Sequence, residues 1–176
     1  MKVLIACEFS GIVREAFRAR GHDAISCDLL PSEQLGPHYQ GDVRDILSDG
    51  FDLMIAHPPC TYLAASGARW WGQRQHEQQE ALHFVRVLLE APIPHIALEN
   101  PLGKINSTIR PCDQIIHPWE YGEHATKQTC LWVRNLPLLQ ATCLAWPRHE
   151  FVLRLGWDPD RMRKRSRTFA GIAIAM

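Results

Sequence analysis

The chain has 176 residues, 46% of them hydrophobic and 22% charged, and its nineteen basic side chains balance nineteen acidic ones. A chain this long buries roughly two-thirds of its unfolded surface, enough for one domain over residues 1–176 without covalent staples. Zero formal charge excludes coating of nucleic acid or anionic membrane by bulk charge, and the lack of any apolar run near ~20 residues argues for no membrane span.

Lys2 to Cys7 is a nearly continuous apolar run of strand length, the pattern of a strand buried on both faces. It breaks at Ser10-Gly11, after which Ile12, Val13, Ala16 and Phe17 recur at helical spacing, with Ser10 the expected N-cap and Gly21 the expected C′ residue. Asp23 to Leu30 predicts a second strand, stopped by Pro31, and the turn-rich residues 31–41 predict a loop. Phe51 to Ala56 predicts a third strand ended by His57-Pro58-Pro59. Gln75 to Glu90 places Ala81, Leu82, Val85, Leu88 and Leu89 on one helical face before Pro92 and Pro94. His95 to Leu98 and Thr129 to Val133 complete the strands. Strand alternating with helix predicts an α/β fold with a doubly wound, mostly parallel sheet.

Ligands in such sheets bind at the carboxyl ends of strands, so those ends are the candidate site. Glu8-Phe9-Ser10-Gly11 is either a turn that admits a ligand to a helix N-terminus or a plain tight connection. Asp28 suits the ribose hydroxyls of an adenosine-type ligand, or is a turn residue. Asp42 suits an adenine amino group, or caps a short helix. His57-Pro58-Pro59-Cys60 presents a thiol just beyond a buried strand, where a thiolate is a competent nucleophile and a structural buried Cys is the alternative. Glu99, before Asn100-Pro101, is expected to have a raised pKa through partial burial and so to donate a proton to a ring nitrogen.

The six cysteines form no C-x-x-C pair, so reduced thiols are expected; no metal is expected either, Cys112 and His117 reading as loop and surface. The opening MKVLIACEFSG is too short for a signal peptide, which predicts a cytoplasmic protein. Basic residues gather in two places. Arg69-Trp70-Trp71-Gly72-Gln73-Arg74 mixes cations with aromatics, suiting closure over a base or anchoring of the next helix. Residues 161–167 hold five basic side chains, suiting phosphate or a solvated helix start.

The order Phe9-Ser10-Gly11, Asp28, Asp42, Pro59-Cys60 and Glu99-Asn100-Pro101 resembles the DNA cytosine-5 methyltransferases, and more closely their short, phage-type methylase-like relatives. Arg165 to Ala173 resembles the closing segment of those relatives, whose last helix packs beside the cofactor turn. The resemblance implies a Rossmann-like methyltransferase domain using S-adenosyl-L-methionine held by Phe9, Ser10, Gly11, Asp28, Asp42 and Pro58. Cys60 would attack C6 of cytosine while Glu99 engages the N3/N4 edge, with Pro59, Asn100, Arg69, Trp70, Arg74 and Lys127 around the substrate. DNA is the implied partner, in a host bacterial cytoplasm if the chain is phage-encoded. Two departures stand out: the family's Gln-x-Arg-x-Arg strand reads Ala125-Thr126-Lys127-Gln128-Thr129 here, and only residues 134–164 lie where a long target-recognition domain is expected. Short or relaxed sequence specificity follows. The alternatives are the same chemistry on single-stranded DNA or a free pyrimidine nucleotide, and a non-catalytic nucleic-acid-binding protein of this fold.

Overall fold

A computed structural model describes residues 1–150 and 160–176. Seven strands form one sheet: β1 Lys2–Ala6, β2 Asp23–Asp28, β3 His38–Gln40, β4 Leu53–Ala56, β5 His95–Pro101, β6 Gln114–Ile116 and β7 Thr129–Arg134. Their order is β3-β2-β1-β4-β5-β7-β6; β7 runs antiparallel to both neighbours and every other pairing is parallel. The helices are α1 Ile12–Ala19, α2 Gln75–Leu89, α3 Lys104–Thr108, α4 Arg161–Ser166 and α5 Ala170–Ala175, with short 3-10 turns at Val43–Asp45, Ala65–Gln73 and Pro118–Glu120.

The central strands are apolar throughout because both faces are covered. Val3, Ile5, Val13, Phe17, Leu53, Ile55 and Ala173 pack on one side of the sheet, where α1 and α5 lie. Leu4, Met54, Leu82, Val85, Leu88, Ile96 and Trp132 pack on the other, under α2. With roughly 25 cal/mol stabilisation per Å2 of apolar surface removed from water, these two layers dominate stability.

The parallel sheet and the elements on either side of α1 and α2 follow the sequence pattern. Three details differ. His38–Gln40, within the expected 31–41 loop, is an edge strand paired with Ser26–Asp28; three polar residues carry no periodic signal and gain their order from the open edge of β2. Gln114–Ile116 likewise reads as nothing alone and is ordered by β7. β5 extends to Pro101, so Glu99 and Asn100 lie in the strand's last turn rather than after it, opposite Leu131 and Cys130 of β7.

The start of α1 also differs. Gly11, with φ 75°, holds the N-cap position, and the expected cap, Ser10, accepts from Ile12 N–H at 3.3 Å while donating to Glu8 at 2.8 Å. The main acceptor is Glu8, buried, whose Oε1 takes the Val13 N–H at 2.9 Å. A side chain three residues outside the helix reaches back to cap it because the left-handed turn at Cys7 (φ 59°) swings the chain round. Gly21 ends α1 in a left-handed conformation, as its position predicts.

Among the described residues no helix is long and apolar enough to cross a membrane, and no three His, Cys, Asp or Glu side chains gather as a metal site.

Candidate active site

The carboxyl ends of β1, β2, β4 and β5 converge at one edge of the sheet. At β1, Phe9 is buried and its carbonyl accepts the Glu33 N–H at 2.8 Å, which docks the 29–37 loop on the first turn. Arg14 fixes that loop from below. It is fully buried and donates to Ser26 and Ser32 hydroxyls and to the carbonyls of Gln34, Leu35 and Pro37, at 2.9 to 3.4 Å. Gly11 is required there: a Cβ would lie 2.8 Å from the Arg14 guanidinium and 2.9 Å from Gln34. No sequence pattern marks Arg14; a charged residue on the inner face of an amphipathic helix was the available signal.

Asp28 ends β2 and accepts the Leu30 N–H at 2.9 Å, and burial pushes its carboxyl up against that hydrogen bond and the nearby His38. Asp42 takes the capping role: it accepts the Arg44 N–H at 2.9 Å and pairs with the Arg44 guanidinium, which holds its carboxyl down. Both acids face the same corner. Burial first, then the charges of Asp28 and Asp42, push the Cys27 thiol up to about 12 and raise the Cys7 thiol as well.

The Glu8 cap bears on what this corner can bind. Its oxygens already satisfy the N–H groups a phosphate would use at the start of α1.

Four residues further round the edge, β4 leads into the thiol. The His57 N–H continues the ladder to Ala6 O at 2.9 Å, and the buried Asn100 amide donates to the Pro58 carbonyl at 2.8 Å, tying the ends of β4 and β5 together. Pro58 is buried and Pro59 exposed. Cys60 is half-buried, and its carbonyl accepts the N–H groups of Leu63 and Ala64. Gly103 clamps this loop: Lys104 N–H reaches Leu63 O at 2.8 Å, Ala65 N–H reaches Leu102 O at 2.9 Å, and a Cβ on Gly103 would sit 2.0 Å from Leu63 O.

Glu99 differs from its expectation. Burial does raise its carboxyl, but His57, 3.3 Å away through Nδ1, with the charge of Lys127 and the Thr129 hydroxyl, outweighs it and holds the group at about 2. The partners come from residues 42 and about thirty positions distant, so the sequence shows the burial and hides the neighbours. The Cys60 thiol is raised by burial and by Glu99, with Lys127 and Arg165 pulling the other way. Cys60, Glu99 and Lys127 thus share one electrostatic neighbourhood with Arg165 and His57, which the sequence places in the closing segment and the Pro-Pro-Cys motif without a role of their own.

Of the two basic clusters, 69–74 lies in and just after an exposed 3-10 turn over Ala65–Gln73, in which Trp71 is part-buried with Lys104 Nζ 5.1 Å from its ring. Arg69 lies 5.1 Å from the Trp70 ring and Arg74 lies 5.7 Å from that of Tyr62, rather than against Cys60 or Glu99. In the 161–167 cluster, Arg163 and Arg167 pair with Glu33 at 2.6 and 2.8 Å, and the Arg163 guanidinium stands 5.6 Å from the Phe9 ring. Lys127 Nζ donates to the Arg165 carbonyl at 3.2 Å. The last helix packs against α1, with Ala173 fully buried and Arg20 bonded to the Ile174 carbonyl.

No family model matches this sequence, and no curated protein matches it. Solved structures do match. One is the crystal structure of a protein described as a DNA modification methyltransferase encoded within an E. coli prophage, with a TM-score of 0.51 and 17% identity. The match covers 74% of this chain and 45% of that one, so this chain spans less than half the length of its structural neighbour. At that identity the likeness is one of architecture: the two share a mixed α/β fold, which in this chain is a mostly parallel seven-stranded sheet.

Proposed function

We propose that the chain transfers a methyl group from S-adenosyl-L-methionine to C5 of cytosine in DNA through a covalent adduct at Cys60. The carrying observation is that Cys60, four residues beyond β4, and Glu99 of the adjacent parallel strand β5 lie close enough for the acid to raise the thiol, with the two strand ends tied by the Asn100–Pro58 hydrogen bond. A separate acid-bearing corner lies two strands away. Its Glu8 cap disfavours a phosphate-bearing dinucleotide, whereas S-adenosylmethionine offers an adenosine to Phe9, Asp28 and Asp42 and no phosphate. When bound, that group supplies an electrophilic methyl on a sulfonium.

The protein's own residues do the rest. Cys60 gives its thiol proton to water, and Sγ bonds to C6 as the C5–C6 π pair moves onto the ring, where N3 takes up a proton. Glu99, ionised at rest, accepts the N4 amino hydrogen bond, and the His57 Nδ1–Glu99 Oε2 contact is the route for a proton to N3. Once C5 bears the methyl group, water takes the C5 proton, the C5–H pair re-forms the C5–C6 double bond, the S–C6 pair returns to Sγ, and N3 gives up its proton, restoring Cys60. In a duplex the base must first leave the stack. The exposed Arg69, Trp70 and Arg74 suit phosphate contact and stacking on the displaced strand.

Tritiated S-adenosylmethionine with duplex DNA, single-stranded DNA or cytidine nucleotide tests this. Label at C5 of cytosine is expected, with the labelled substrate fixing the strand state. Trapping on 5-fluorocytosine DNA is expected to vanish in Cys60→Ser. DNA binding without label on any substrate overturns the reading in favour of a non-catalytic binding protein.

A further inference from the structure

Away from the strand ends, one surface gathers planar side chains that lie outside the core clusters. His117 stacks on Trp119, with ring centroids 5.6 Å apart and planes 24° from parallel. The Arg148 guanidinium lies 3.5 Å from the centroid of the Trp119 ring and 5.5 Å from that of Trp146. Imidazole, indole, guanidinium and indole are thus joined in succession. The last member stands open: Trp146 is 76% exposed, and Leu144, two residues earlier, is 66% exposed. An indole and a leucine left in water contribute little to the fold, and such a patch marks a binding surface.

Backbone hydrogen bonds hold this surface in place. Ala145 N–H reaches Trp119 O at 2.8 Å, His149 N–H reaches His124 O at 2.9 Å, and Thr126 N–H reaches His149 O at 2.9 Å. The residue after Thr126 is Lys127, which lines the space beside Glu99. Of the acids in residues 117–126 and 139–150, Glu120 accepts the His117 N–H, Glu123 accepts the Gly171 N–H, and Glu150 is exposed. Arg148 is exposed as well, which leaves a guanidinium accessible to an anion near the Trp146 ring.

The order of these groups selects the ligand. A ring already facing one cation disfavours a second, so a quaternary ammonium is a poor fit. A nucleobase with its phosphate matches both groups, ring on indole and anion on guanidinium. Inside a duplex a base shows only its edges, so the base must be out of the stack. We propose that Trp146, backed by Arg148 and Trp119, is a stacking site for an unpaired base of single-stranded nucleic acid, with Arg148 on the adjoining phosphate. The site uses neither Cys60 nor S-adenosylmethionine, so it stands apart from the reaction proposed above.

The test titrates full-length protein, without cofactor, against a fluorescein-labelled oligothymidylate of about twelve nucleotides and against the same strand with abasic sugars. Wild type is expected to bind the base-bearing strand about tenfold or more tightly than the abasic one. Trp146→Ala is expected to lose most of that preference while binding the abasic strand as wild type does, and Trp146→Phe to restore it. Arg148→Gln is expected to weaken both strands and to flatten the dependence on salt. Thermal melting is expected to be unchanged in Trp146→Ala, because the side chain is exposed. Equal affinity of wild type and Trp146→Ala for the base-bearing strand, or no binding by wild type, overturns the site. A loss in Trp146→Ala that is as large on the abasic strand overturns stacking. Loss of self-association in Trp146→Ala by sedimentation, with strand binding intact, gives the face to a second copy instead. Binding that depends on Trp146 in a protein that transfers no methyl group upholds this site and sinks the reaction alone.

Discussion

Glu99 is an acid whose folded pKa lies below its ordinary value of 4.5, at about 2, so its proton is released more easily in the folded state than in the unfolded one. Its contribution to stability is therefore full above about pH 4.5 and is lost as pH falls towards 2. Urea melts between pH 5 and pH 2 should show wild type losing stability over that range and Glu99→Gln losing less of it. The thiol behaves in the opposite sense. Cys60 is protonated at neutral pH, because burial and Glu99 outweigh Lys127 and Arg165. Iodoacetamide should label Cys60 faster as pH rises, faster in Glu99→Gln than in wild type at any one pH, and slower in Lys127→Met. Peptide mass spectrometry of the Cys60 peptide reads all three. Cys60 and Glu99 were legible because Pro-Pro-Cys and Glu-Asn-Pro each follow a short apolar run. His57 sits in the same motif, yet its bond to Glu99 spans 42 residues and only the β4–β5 pairing brings it about.

At the scale of elements, the two loops that make the thiol's surroundings are joined to each other by backbone hydrogen bonds, and the buried Gln78 amide ties the first of them to α2 by donating to Tyr62 O at 3.0 Å. Residues 60–65 and 102–104 exchange N–H groups across an approach so close that only Gly103 fits. Gly103→Ala forces Leu63 O away and should cost about 1–3 kcal/mol by overpacking. Methyl transfer should fall further than S-adenosylmethionine binding, since the donor corner lies on other strands; calorimetric binding beside a transfer assay separates the two. Long apolar elements such as β1, β4 and α2 were plain in the sequence because hydrophobic period and Pro or Gly stops agree there. β3 and β6 were not, being three residues each and stable only as additions to an existing sheet edge. The cap of α1 was misplaced for a related reason: Ser10 has the right residue type, but the left-handed turn at Cys7 delivers Glu8 to the N–H groups first.

For the molecule as a whole, the ion pairs of Glu33 with Arg163 and Arg167 join the loop after β2 to the segment before α5. Burial alone would raise the Glu33 carboxyl, but the two guanidinium groups hold it below its ordinary value. Glu33→Gln should leave the melting temperature within a few degrees of wild type, because part-exposed pairs contribute little. It should nonetheless speed tryptic cleavage within 161–167 and lower transfer. Unchanged cleavage would show that the pairs do not hold the segment down.

The catalytic surroundings draw on residues near 8–11, 57–60, 99 and 127 and finally on 165–169. Residues 1–150 carry all seven described strands, the thiol and its acid, whereas the wall facing Glu99 comes from residues 166–169. On the reading proposed here, a proteolytic cut after Glu150 leaves the sheet standing and abolishes transfer, because it parts the thiol and its acid from the wall opposite them.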